Sequence, residues 1–515
     1  MEEKRDHQGA VHAMDRRFFL KTAAATAVGA GLLRHMPAGA RGIPVSALPG
    51  HPAASCYAGP PAKEITTSIT DLYKVGPGPS SSHTLAPLRI ASNFVDMAES
   101  LPGPMLAAAD HMEARLYGSL SSTGKGHRTD RAILAGLMGQ KPETCDPAVM
   151  DALGDASRRH EVSIAGKVFS IGSDTVVWDR IEHDFPFSNT LVIQLVDKTG
   201  RVLTQREYYS TGGGFFSWKG KPEEKRGAPA HVYGSMTGFT ALASKKGKAL
   251  DAIMMENEMA IMGSDADAVN RHLDLVLDTM LEGVDLGLRE EGLLPGPFEF
   301  HRKARRIYDQ AKRMPAEGDA FMQLLSSYAL AVAEGNAAGR LAVTAPTLGS
   351  AGTMPAVVYV MKHHLKLDRS DMRKGLLAAA LVGFLCKNNA SVAGAEVGCQ
   401  GEIGVASSMA AAMLAYASGA PLAVTELAAT IALEHHLGMS CDPVGGFVLI
   451  PCIERNAFGA LKAYNAWLMA KNEIAAQHWE DLDRVIMAML QTGKALPAPF
   501  KEMGTAGLGM TMVDC

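Results

Sequence analysis

The chain has few cysteines, and none are closely paired. It carries 7 in 515 residues, with no Cys-x2–4-Cys pair of the kind that usually builds structural zinc sites. Their odd number and irregular spacing argue against a disulfide framework. An excess of either charge is also missing. The 50 Lys and Arg against 54 Asp and Glu leave a formal net charge of −4. No basic excess marks a nucleic-acid face, so no nucleic-acid partner is expected. No apolar run has the length and continuity of a bilayer span, so no stable membrane span is expected. Internal repeats and low-complexity blocks are absent, which excludes solenoids and arrays.

What remains is the composition of a globular protein, 47% hydrophobic and 20% charged. The length suggests two or three domains with ample core. Residues 1–40 read as a targeting segment. Arg16-Arg17 precedes the twelve-residue apolar run 22–33, and Ala38-Gly39-Ala40 suits a small-residue cleavage site. Twelve residues reach only about 18 Å as a helix, so a signal is expected rather than a span. The segment resembles a twin-arginine signal, which implies export to the periplasm, with a cytoplasmic location as the alternative. Residues 41–64 are rich in Pro, Gly and Ala and read as a linker.

The expected fold class is α+β. Residues 65–244 form a mixed α/β domain, and residues 245–515 an all-helical catalytic domain without a sheet. In the first part, Gly76-Pro77-Gly78-Pro79 forces a loop. Ser80, Ser81, Ser82 and Thr84 then offer hydroxyls at the start of a helix over 85–99, where free N–H groups suit a carboxylate. A second glycine loop holds Thr123 and His127 and opens a helix over 131–139. It lacks the P-loop pattern, whose Lys follows a second Gly and precedes Ser or Thr. Residues 111–117, 162–171, 191–197 and 202–210 alternate as strands. In the second part, three-to-four-residue apolar spacing predicts helices over 250–262, 265–286, 319–337, 373–386, 406–417, 425–437 and 454–471.

One stretch, 394–456, holds Cys399, Cys441 and Cys452, spaced 42 and then 11 positions apart. Each sits in a turn punctuated by Gly or Pro. Turn N–H groups donate to thiolate sulfur, as around iron–sulfur clusters. Three readings stand: buried structural cysteines, a zinc site, or an iron–sulfur cluster on three thiolates with one iron open. Cys515 is a fourth thiol.

The stretch resembles bacterial iron–sulfur-dependent L-serine dehydratases of the single-chain form. The residues that carry the likeness are Asn389-Ala-Ser391, Gly394 to Glu402, Cys441-Asp-Pro443 and Pro451 to Asn456. The loop Gly78 to Thr84 and the glycine loop near His127 add to it. The resemblance implies a 4Fe–4S cluster on Cys399, Cys441 and Cys452, with Cys515 as a possible displaceable ligand, and a homodimer. It implies conversion of L-serine to pyruvate and ammonia. No lysine stands in a pyridoxal phosphate context, so that cofactor is not expected. His83, His127 and Lys387 are candidates for the base that takes the α-proton. Ser81, Ser82, Thr84, Thr347, Asn389 and Ser391 are candidates for holding the substrate.

Two departures from the family pattern bear on the substrate. Leu348 stands where the family usually has Asn. Residues 499–504 replace a Lys-Tyr-Lys-Glu-Thr-Ser pattern with Pro-Phe-Lys-Glu-Met-Gly. Both changes predict a more apolar pocket. The alternatives are therefore a lyase for another β-substituted amino acid, or a non-catalytic iron–sulfur sensor.

Overall fold

The computed structural model describes residues 64–512, apart from 180, 182, 223–225, 316 and 317. The expected signal, the linker up to residue 63 and Cys515 lie outside the described residues.

The first part is built on a five-stranded sheet of order β5-β2-β6-β7-β8. Its strands are β2 (Ala109–Leu116), β5 (Val176–Trp178), β6 (Thr190–Asp197), β7 (Val202–Ser210) and β8 (Phe216–Trp218). Only β2 and β5 run parallel; the other neighbours are antiparallel. β6 is apolar almost throughout because it is the middle strand, buried from Thr190 to Val196. Helices α1 (Ala86–Glu99) and α2 (Thr129–Leu137) pack together. Gly136 makes their crossing close: a Cβ there would lie 2.2 Å from the Leu88 carbonyl oxygen. Residues 162–171 are not one strand but parts of two. β3 (His160–Ile164) and β4 (Lys167–Ile171) form a hairpin. Its turn residues Ala165 and Gly166 both have positive φ, which breaks the alternation.

The second part contains α3 (Met236–Lys246), α4 (Leu250–Met262), α5 (Ala266–Gly287), α6 (Ala304–Ala311) and α7 (Gly318–Ala337). These are followed by α8 (Thr353–His363), α9 (Arg369–Asn389), α10 (Ile403–Ala417), α11 (Leu422–Glu434), α12 (Cys452–Ala470) and α13 (Leu482–Ala495). α10 is the hub and packs on α8, α9, α11 and α12. Every residue in it except Tyr416 is buried. Its Ala and Gly side chains admit neighbours from all sides. Met409, Met413 and Leu414 each contribute roughly 1.5–3 kcal/mol by burial. Its two buried hydroxyls are satisfied: Ser407 Oγ donates to Gly459 O at 2.8 Å and Ser408 Oγ to Ala429 O at 2.7 Å. Among the described residues, no single helix is long and apolar enough to cross a membrane.

The expectation that this part has no strand is corrected. β9 (Leu341–Val343) pairs antiparallel with β1 (Val75–Pro77), Val75 opposite Val343. This pairing ties the two parts together just before the serine-rich loop.

Candidate active site

The loop Gly76 to Ser80 delivers one wall of the site. Ser80 caps the tight helical turn Ser81–Leu85, its hydroxyl accepting the N–H of His83 at 3.2 Å. That cap fixes His83, which is fully buried. Its Nδ1 meets Ser82 Oγ at 2.8 Å, and its Nε2 meets Ser119 Oγ and Thr123 Oγ1, each at 3.1 Å. The neighbouring loop brings His127 against it, with ring centroids 4.4 Å apart. Thr84 Oγ1 donates to His127 O at 2.7 Å and locks the two loops together.

His127 Nδ1 lies 2.8 Å from the Thr123 carbonyl oxygen. A carbonyl only accepts, so Nδ1 carries the hydrogen and Nε2 keeps its lone pair. Burial pushes His83 down to about 4, and burial together with His83 pushes His127 down to about 3. Both rings rest neutral.

The opposite wall carries the cysteines. Cys399 lies in the 3-10 turn Gly398–Gly401. Cys441 sits in an extended segment, its N–H donating to Phe500 O at 2.8 Å. Cys452 is not in a turn: it is the first residue of α12. All three are unpaired thiols that line one cavity with His127. Ligand atoms of Cys399, Cys441 and Glu402 lie within 4.8 Å of one another. A hydrogen bond from Cys441, aided by Arg455, holds the Cys399 thiol below its usual range, whereas burial pushes Cys452 up. Three soft sulfur donors from separate segments, converging in one buried cavity, fit a thiolate-held metal or cluster.

Two carboxylates complete the cavity, and neither was singled out from sequence. Glu402 accepts from Thr347 Oγ1 at 2.9 Å and lies 3.8 and 3.9 Å from the sulfurs of Cys399 and Cys441. Glu502 accepts from Ser82 Oγ at 3.1 Å and stands 3.5 Å from His83 Nδ1. Burial pushes Glu402 up to about 8 and Glu502 up to about 7. Residues 500–502 run beside Cys441, with Glu502 N–H donating to Cys441 O at 2.7 Å. Glu402 closes the Gly394 to Glu402 motif, which was the signal available for it. Glu502 lies in the altered tail, where Lys501 and Glu502 keep the family pattern while their neighbours change.

The structure thus gathers His83, His127, Ser82, Thr84, Thr347 and the three cysteines, with Ser81 buried beside them. It sets others apart. Lys387 lines a separate groove of about 740 Å³ with Asp71 and Phe215, and its Nζ reaches Thr67 Oγ1 at 3.4 Å. Asn389 Nδ2 is spent on Gly234 O at 2.8 Å. Ser391 Oγ accepts the Ala393 N–H at 3.1 Å, ahead of the Cys399 turn. Leu348 is buried in the helical core, while its neighbour Gly349 lines the cavity.

The architecture is a mixed-sheet part tied to a helical part, with thiols, imidazoles and carboxylates gathered into one buried site. Comparison with known proteins gives this class its name. Residues 68–221 match the family model for the serine dehydratase beta chain and residues 245–509 that for the alpha chain. An L-serine dehydratase of Haemophilus influenzae is 38% identical over 462 residues, 87% of this chain and 99% of that protein. One from Streptomyces coelicolor is 38% identical over 469 residues, and L-serine dehydratase 2 of Escherichia coli 37% over 457, with the same coverage. The chain belongs to the serine dehydratase family, with the beta and alpha parts fused in one polypeptide.

Proposed function

We propose that the protein converts L-serine to pyruvate and ammonia, with a 4Fe–4S cluster held by Cys399, Cys441 and Cys452. The observation that carries this reading is the convergence of three buried thiols and the His127 ring on one cavity. The names of the relatives support the substrate. When bound, such a cluster with an open iron supplies a Lewis acid for the departing hydroxyl.

The chain's own residues supply the rest. His127 Nε2, held lone-pair-inward by the Thr123 carbonyl, takes the α-proton; His83 stacks behind it and fixes its plane. Loss of the proton and hydroxide gives 2-aminoacrylate and water. Its imine tautomer then adds water and releases ammonia, leaving pyruvate. The walls of α10, α12 and the serine loop exclude bulk water during the elimination. Cys515 serves as a displaceable fourth thiolate.

Anaerobic reconstitution tests the reading. Brown protein with about four irons per chain and pyruvate formed from L-serine is expected. A panel containing L-threonine, L-cysteine and other β-substituted amino acids tests the alternative substrate class. Iron without turnover of any panel member would leave a sensor as the better reading.

Two wider proposals accompany it. Export rests on Arg16-Arg17 ahead of the short apolar run; replacing both with Lys should retain the protein in the cytoplasm. A homodimer draws support from Phe458, Met469, Ile474 and Trp479, which are exposed on α12 and the segment after it. Sedimentation of the full chain should give twice the chain mass.

A further inference from the structure

Glu502 carries two observations that the elimination chemistry leaves unused. The first is its backbone: φ is +62° at a non-glycine residue. Side chains larger than hydrogen rarely adopt this region, and where they do the strain is commonly kept for a function. The second is its side chain. Glu502 is only 5% exposed, and Oε1 is engaged by the Ser82 hydroxyl. Oε2 is buried with no hydrogen-bond donor. A buried carboxylate oxygen without a donor is costly.

A second orphan stands beside it. The Asn189 side chain faces the Glu502 carboxylate. Asn189 is 2% exposed, and its Oδ1 also lacks a donor. Two acceptors side by side without donors describe a place for a group that is all donor. The nearby cations are committed elsewhere. Arg455 Nη1 donates to Ser440 O at 2.7 Å, and Lys501 Nζ to Gly493 O at 3.1 Å. An α-ammonium offers three N–H donors and a positive charge at the right scale.

We propose that Glu502, with Asn189, binds the α-ammonium of the substrate and so selects amino acids over their deamino analogues. The proposal rests on the amino-acid lyase reading above and deepens it. Glu402 is unsuited to this task, because both of its oxygens already face partners: Thr347 on one side and the two thiols on the other. The arrangement also holds the ammonium on the same carboxylate that touches the Ser82 and His83 pair. The amine end of the ligand is thereby placed beside the stacked imidazoles. A site built around paired charges rejects a ligand lacking its half more strongly than an apolar pocket rejects a missing methylene.

The experiment compares L-serine with 3-hydroxypropionate, which lacks only the amine, by calorimetric binding to the reconstituted full chain. The wild-type protein should prefer L-serine by roughly 10- to 100-fold. In Glu502→Gln, which keeps the shape and the Ser82 contact, the ratio should collapse to within about threefold. Affinity for 3-hydroxypropionate should hold. Glu502→Asp, charged but shorter, should retain part of the preference. Circular dichroism and melting of each variant establish that it is folded. A Gln variant that keeps the preference, or one that loses both ligands equally, overturns the proposal. So does a wild-type protein that does not prefer the amine. Failure of the functional reading looks different: L-serine is bound in preference, yet no pyruvate forms.

Discussion

The side-chain oxygen of Asn456 accepts the backbone N–H of Gly352 at 2.9 Å, across 104 positions of sequence. It also accepts Thr353 N–H at 3.1 Å, while its amide donates to Gly349 O and Cys452 O, each at 2.9 Å. One buried amide thus joins the start of α8, a cavity-lining glycine and a candidate ligand cysteine. Asn456→Ala would leave two N–H groups without acceptors, each costing about 1–3 kcal/mol. A loss on the order of 3 kcal/mol in unfolding free energy is expected. Denaturant titration should show a lower midpoint with an unchanged slope.

The three candidate bases can be told apart kinetically. His127→Ala should lower kcat by about 10²- to 10⁴-fold, with bound iron retained. Lys387→Ala should leave kcat near the wild-type value, because Lys387 lies in another groove. A large loss in Lys387→Ala with His127→Ala unaffected would reverse the assignment.

The cysteines separate in the same way. Cys399→Ser, Cys441→Ser and Cys452→Ser should each lose most of the iron after anaerobic reconstitution. Cys145 and Cys386 are buried thiols packed in the two cores. Cys145→Ser and Cys386→Ser should keep full iron, whatever they cost in stability. Iron content and the visible spectrum read the outcome.

A pH effect is expected far from the cavity. Burial, and then Asp483, push the Glu426 carboxyl on α11 up to about 7 from 4.5. Between those values the folded chain holds a proton that the unfolded chain has lost. Stability from this group is therefore full below about 4.5 and is lost as pH rises through about 7. Glu426→Gln cannot lose that proton. Its melting temperature relative to wild type should climb across this window. A difference that stays flat with pH would contradict the assignment.

Much of the architecture was legible because it rests on local periodicity. α4 spans the expected 250–262, and α7 begins one residue before the expected 319. β7 covers the expected 202–210. What escaped depends on contacts between distant segments. β9 is three residues long, too short to show a period, and exists because β1 lies beside it. The β3–β4 turn hid inside an alternating run because Ala165, at positive φ, is no turn signal in sequence. At the site, the cysteines and His127 stood out through residue type and glycine context. Glu502 did not, because its meaning comes from Cys441 and Ser82, which only the folded chain brings to it.

The Ser82–Glu502 contact also sets an order of events during synthesis. Its two residues are 420 positions apart. At about 5–20 residues per second, a ribosome needs roughly 20 to 80 s to pass from one to the other. Through that interval the serine loop and the first two cysteines are already made, yet the carboxylate that closes their pocket is still to come. Loading of any cofactor into the finished cavity is thereby a late step, taken by a chain that has left its template behind.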